Sequence, residues 1–184
     1  MSVFAKKFHY PPIKLKRDPI IIDFGANIGL SILSLHYLYP ESKIIGFEMD
    51  KSNYNIACMN TQQLGDSCIV INKAIWINDG SIKYGGQDEQ SFSINNGDIM
   101  AESISIPTLI QKFNLKRIDY IKMDIEGSEM DIFQNNLDWL THVYSINLEI
   151  HNSSMINWYI SKLKENGFNA KPHKGHWSGV IGYK

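Results

Sequence analysis

Residues 18–29 read DPIIIDFGANIG. Three isoleucines, an aspartate and a phenylalanine make a short β-branched and aromatic run, Ile20 to Phe24, that reads as a strand. Gly25 and Gly29 follow, and "IGLSILSLHYLYP" then places Ile28, Ile32, Leu35 and Leu38 at helical spacing until Pro40 stops it. A strand that runs through a glycine turn into a helix is the opening of a βαβ unit. It is also where an open α/β sheet binds a ligand.

The pattern continues downstream. "SKIIGFEMD" reads as a second strand ending at Glu48, "KSNYNIACMNTQQLG" as a helix closed by Gly65, and "SCIVINKAI" as a third strand. "NDGSIKYGGQDEQSFSINNGD" is rich in Gly, Asn and Asp, so residues 78–106 read as a β-rich hairpin insertion. Pro107 starts a short helix, "RIDYIKMDIEG" is a fourth strand, "SEMDIFQNNLDWL" a helix, and "VYSINLEIH" a fifth strand. "MINWYISKLKENG" is a last helix, and "FNAKPHK" and "SGVIGYK" read as a closing hairpin. Alternating strands and helices imply right-handed crossovers and a three-layer, doubly wound, mostly parallel sheet.

Composition narrows the class. The 184 residues are 43% hydrophobic with a formal net charge of -1, ordinary for one globular domain of about 19–184. Residues 1–18 hold Lys6, Lys7, Lys14, Lys16 and Arg17 against Asp18, so this basic arm carries about +4 and the remainder about -5. The arm reads as a solvated or loosely docked tail. The even overall balance argues against nucleic acid as a partner. Cys58 and Cys68 lack metal-ligand spacing and suit a reducing compartment. No leader-like or membrane-spanning run is read, and the expected location is cytoplasmic.

The glycine turn departs from the dinucleotide fingerprint. With Gly25 as the first glycine, Asn27 takes the third position and Leu30 the sixth. Two glycines four apart, with Asp23 two residues upstream, resemble the motif of S-adenosylmethionine-dependent methyltransferases. On that resemblance Asp23, Gly25, Ala26, Asn27 and Gly29 are expected along the ligand's amino-acid tail. Glu48 ends the second strand, where an acid is placed to accept hydrogen bonds from a ribose. Met49 is placed to pack on an adenine.

Residues 120–130, YIKMDIEGSEM, alternate Lys122, Asp124 and Glu126 with apolar neighbours, and "INLEIH" does the same with Asn147, Glu149 and His151. Burying unpaired charge is costly, so both polar files are expected to meet at the carboxyl end of the sheet and line a wet cleft. "IDYIKMDIEGSEMDIF", together with "IIDFGANIGLSIL", "IIGFEMDKSNY", "VINKAIWINDG" and "NLEIH", resembles FkbM-type methyltransferases over about residues 18–152. That resemblance implies an S-adenosylmethionine-dependent O-methyltransferase acting on a hydroxyl of a sugar, glycan or secondary metabolite.

On chemical grounds His151 is the first choice for general base, because its ordinary pKa suits proton removal. Lys122 is the second choice if desolvation lowers its pKa. Asp124, Glu126 and Glu149 are expected to orient the base or bind substrate, with Asp124 also near the cofactor. Their carboxylates have the donor chemistry for a divalent cation, but none is expected. A silent S-adenosyl-binding module and a nucleotide-dependent oxidoreductase remain as alternative readings.

Overall fold

The protein is described by a computed structural model that covers residues 9–85, 93–94 and 97–184. The main sheet contains β1 (Ile20–Phe24), β2 (Lys43–Phe47), β3 (Cys68–Ile71), β8 (Tyr120–Met123), β9 (Ser145–Glu149), β10 (Asn169–Pro172) and β11 (Gly179–Tyr183). Its strand order is β10-β11-β9-β8-β1-β2-β3. The pairs β1–β2, β2–β3, β1–β8 and β8–β9 are parallel, and only β9–β11 and β10–β11 are antiparallel. From β1 the chain winds outward through β2 to β3, then returns to build β8 and β9 on the other side. The reversal falls between β1 and β8, and an α/β sheet opens a crevice at the carboxyl ends of such a strand pair.

Among the described residues the α-helices are α1 (Leu30–Leu38), α2 (Lys51–Thr61), α3 (Ile106–Lys112), α4 (Glu129–Gln134) and α5 (Ile156–Glu165). Alternation along β1 sends Ile22 and Phe24 into one core with Phe47, Met123, Ile146 and Leu148. Ile21 goes to the other face with Ile32, Leu35, Ile44 and Tyr120. Gly46 of β2 leaves room for α1, since a Cβ there would meet the Ile32 Cδ1 at 2.7 Å.

Local readings hold with four differences, one of them in SEMDIFQNNLDWL, where α4 ends at Gln134 and a separate 3-10 run, Asp138–His142, follows. α1 begins at Leu30 because Gly29, with φ 83, still belongs to the turn. α2 ends at Thr61, and a 3-10 run, Gln62–Ser67, carries the chain through Gly65 at φ 52. The expected third strand breaks after Ile71. There the Asn72 side chain donates to the backbone oxygens of Glu48 and Met49, and Lys73 N turns back to the Ile71 oxygen. Ala74–Ile75 (β4) then joins a second, four-stranded sheet with β5 (Gly80–Gly85), β6 (Ser93–Ile94) and β7 (Ile99–Ile104), in the order β4-β7-β5-β6. β5 and β7 form an antiparallel pair, from Gly80 opposite Ser103 to Tyr84 opposite Ile99. The rest of the insertion, residues 86–92 and 95–96, lies outside the described residues.

The end of the basic arm packs onto the sheet, so the loosely held tail is corrected from residue 9 onward. Tyr120 OH donates to the His9 oxygen at 2.7 Å, the Tyr10 and Ser34 hydroxyls lie 3.1 Å apart, and Leu15 is buried in the core beneath α1. Burial of Leu15 and the tyrosine contacts offset the entropy of ordering this segment. Residues 1–8 lie outside the described residues. Among the described residues no helix is long and apolar enough to cross a membrane.

Candidate active site

The crevice between the ends of β1 and β8 opens into a cleft of about 570 Å³, including its mouth. Gly25, Asn27, Phe47, Glu48 and Met49 line one side, and Asp124, Ile125 and Glu126 line the other. Asn53, Lys73, Ala74, Ile75 and Ser128 complete the wall. None of these five stood out in the sequence: Asn53 lies within α2 and Ala74 and Ile75 in β4, while Lys73 and Ser128 lie in connections. The one available hint was that residues 72–75 sit at a strand's carboxyl end.

Every backbone N–H of the turn is used internally. Gly25 N and Ala26 N both donate to the Phe47 oxygen, and Gly29 N donates to the Ala26 oxygen. Asn27 N donates to Glu48 Oε2 at 2.8 Å, and Ile28 N to Asn27 Oδ1 at 2.7 Å. A phosphate cradle needs free amides, so this turn does not suit a pyrophosphate. Ala26 is buried, and a Cβ on Gly29 would meet Ala57 and Thr61 of α2 at 3.2–3.4 Å. These two residues therefore shape the turn and are not among those that line the cleft. Gly25 has φ 77, and a Cβ there would stand 1.7 Å from the Asp124 carbonyl oxygen. Its small size lets β1 and β8 converge.

Glu48 is buried at the tip of β2. Its Oε1 accepts from Asp50 N and its Oε2 from Asn27 N, each at 2.8 Å. Burial pushes its pKa up, and the two backbone donors offset part of that. A carboxylate has about four acceptor sites, so two remain for hydroxyl donors in the cleft. The acid at the strand end is therefore fixed in orientation and still able to accept.

Asp23 is 0% exposed. It accepts from the Ser31 hydroxyl, and its Oδ1 lies 3.1 Å from Lys122 Nζ. It cannot reach a ligand's ammonium, so its expected contact is corrected to a buried ion pair. Lys122 also donates to the Gly25 oxygen at 2.6 Å and lies 3.6 Å from Asp124 Oδ2. Burial alone would lower its pKa, but Asp23 and Asp124 outweigh that and raise it. A lysine that favours its charged form in this way tells against the second candidate for base.

β8 and β9 are neighbours, with Lys122 opposite Asn147, so the two polar files share one face. Past the strand ends, His151 Nε2 lies 3.0 Å from Glu126 Oε2 and 3.8 Å from Asp124 Oδ1. Its Nδ1 lies 3.3 Å from Oε1 of the buried Glu129, which also accepts from Ile125 N. Burial would lower the imidazole pKa, but the hydrogen bonds to Glu126 and Glu129 outweigh it and carry it to about 11. Clamped between these carboxylates, the imidazole favours its charged form, which tells against His151 as the base. Glu129 was missed because, as a first-turn residue of α4, it reads only as complementing the helix dipole.

Glu149 presents the opposite case. Burial, then the nearby Asp124, raise its carboxyl to about 7. Its Oε1 lies 3.6 Å from His176 Nε2. His176 sits in the β10–β11 connection, where Gly179 pairs with Glu149 across the antiparallel strands. Its ring stacks on Trp177, with centroids 6.3 Å apart, and Trp177 is 79% exposed. The C-terminal hairpin thus brings an imidazole and an open indole to the end of β9.

Known proteins share this arrangement of elements. The domain description "Methyltransferase FkbM domain" matches residues 23–170. Methyltransferase 1 of Beauveria bassiana is 24% identical over 144 residues, which cover 64% of this chain and 58% of that protein. Methyltransferase sdnD of Sordaria araneosa is 24% identical over 209 residues, 92% of this chain and 81% of its own. The crystal structure of methyltransferase FkbM from Methylobacillus flagellatus superposes with a TM-score of 0.66 at 15% identity, covering 94% of this chain and 45% of that one. The chain therefore spans little more than half of the first curated relative and under half of that solved structure. TrmK of M. capricolum, solved with S-adenosyl-homocysteine, superposes with a TM-score of 0.57 at 10% identity, over 100% of this chain and 69% of its own. The architecture agrees with the class I, Rossmann-like methyltransferase fold, and the match over residues 23–170 shows that the chain belongs to the FkbM methyltransferase domain family.

Proposed function

We propose that the protein is an S-adenosylmethionine-dependent O-methyltransferase acting on a hydroxyl of a sugar, glycan or secondary metabolite. One observation carries the reading: a single cleft is lined both by the glycine turn with Glu48 and Met49 and by Asp124 and Glu126. The residues suit the cofactor. Glu48 keeps two acceptor positions for ribose hydroxyls, Met49 and Ile75 offer apolar surface, and the spent turn amides disfavour a diphosphate. S-adenosylmethionine, when bound, supplies an electrophilic methyl group on a sulfonium.

The chain's own part is to bind, orient and deprotonate. Asp124 and Glu126 accept hydrogen bonds from acceptor hydroxyls at the cleft rim. Glu149, half-buried beside them at the end of β9, takes the hydroxyl proton, and proton removal of this kind is worth about 10²–10⁴ in rate. Fixing donor and acceptor in one cleft supplies much of the remainder. Lys122 and Asp23 hold β1 and β8 together beneath the site.

Calorimetric titration with S-adenosylmethionine and with NAD, combined with transfer of labelled methyl from S-adenosylmethionine to a panel of polyhydroxylated acceptors, tests this. Binding of S-adenosylmethionine with label transfer to oxygen is expected. Binding without transfer to any acceptor would favour a silent module, and binding of NAD alone would favour an oxidoreductase.

A further inference from the structure

We propose that Asp124, Glu126 and His151 form a divalent-cation site at the rim of the cleft. Among the described residues these three bring one donor atom each to within 4.8 Å of one another, from two different strand ends. Three ligands on one face of an octahedron, each about 2.1 Å from the ion, stand about 3.0 Å apart. The Glu126 Oε2 to His151 Nε2 distance is already 3.0 Å, and Asp124 Oδ1 is 3.8 Å from the same nitrogen. The three donor atoms lie within 4.8 Å of one another, and a cation bound there takes the place of the Nε2 proton, which is released to solvent. Two carboxylates and one imidazole suit a first-row divalent ion that tolerates mixed oxygen and nitrogen ligands, such as Mn²⁺.

Outer partners support two of the three ligands. Glu129, 1% exposed, sits on Nδ1 and so directs Nε2 toward the carboxylates. A histidine ligand is commonly oriented in this way. Buried Lys122 faces Asp124 Oδ2 and leaves Oδ1 turned to His151. Glu149 lies outside the set and stays available for proton transfer. Three protein ligands leave three coordination positions on the open side. A hydroxyl bound there would be polarised and lose its proton more readily. That role rests on the methyl-transfer reading above, whereas the binding of the ion does not.

The test uses chelator-stripped full-length chain titrated with MnCl₂ and followed by electron paramagnetic resonance. Wild type is expected to bind one equivalent saturably, E126Q and H151A to lose that binding, and E129Q to weaken it about 10- to 100-fold. Thermal melts of the same samples check that each variant is folded; E126Q changes a rim side chain without removing volume. No saturable Mn²⁺ in wild type, or an unchanged affinity in E126Q, would overturn the proposal. S-adenosylmethionine titrations on the same preparations separate the two claims. If the cofactor binds and methyl transfer survives chelator with no Mn²⁺ bound, only the cation site falls. If Mn²⁺ binds as expected but S-adenosylmethionine does not, the site stands and the transferase reading falls.

Discussion

Lys122 and Asp23 face each other across the β1–β8 ladder, and their side chains meet at 3.1 Å with almost no exposure to solvent. This pair ties together the two strands whose ends form the cleft. Removing one partner of a buried pair leaves the other charge uncompensated. Lys122→Met is expected to cost about 3–5 kcal/mol of stability, read by urea denaturation. A loss below about 1 kcal/mol would show that the pair is not what joins the strands.

Glu48→Ala removes the fixed carboxylate at the end of β2. Hydrogen bonds to charged groups are worth about 1.5–3 kcal/mol, so S-adenosylmethionine affinity should fall about ten- to a hundredfold in calorimetric titration. Glu48 also accepts from Asn27 N and Asp50 N. Some loss of thermal stability is therefore expected alongside, and titration well below the melting temperature separates the two effects.

Gly25→Ala places a methyl group 1.7 Å from the Asp124 oxygen at a positive φ. Backbone cannot yield there without parting β1 from β8, so destabilisation above about 4 kcal/mol is expected. Gly65→Ala is the control, with φ 52 but nothing within 4 Å. Its cost should be about 1–3 kcal/mol, from backbone conformation alone. Similar denaturation midpoints for the two variants would refute the close approach.

Glu149→Gln should lower kcat by about 10²–10⁴ while leaving S-adenosylmethionine affinity nearly unchanged. Glutamine keeps the shape and loses the ability to take a proton. Turnover within threefold of wild type would remove Glu149 from proton transfer.

Trp177→Ala should raise KM for a sugar-like acceptor with little change in kcat or cofactor affinity. The open indole, braced by His176, offers a flat apolar face beside Glu149. An unchanged KM across the acceptors that are methylated would place the binding face elsewhere.

The sequence by itself determined the succession of elements and the position of the cleft. Period-two runs, the glycine turn after Phe24, and acids at strand ends are local signals, and local backbone preference settles them. Alternation in residues 120–126 and 147–151 likewise set a polar file on each strand, because side-chain direction in a strand reverses at each residue, while the β8–β9 register, Lys122 opposite Asn147, brought the two files to one face. Tertiary structure decided what each charge does. Asp23, Lys122, Asp124 and His151 carry the residue types of a ligand contact, a second-choice base, a substrate binder and a first-choice base. Their roles depend on which neighbours arrive from distant segments: Ser31 from α1, Glu129 from α4, His176 from the closing hairpin. A pKa is set by burial and by charges within a few ångströms, and neither is written in sequence spacing. That is why His151, the natural choice of base when read alone, is drawn toward its charged form by Glu126 and Glu129, while Glu149, an ordinary carboxylate on paper, is raised to about 7 by burial beside Asp124.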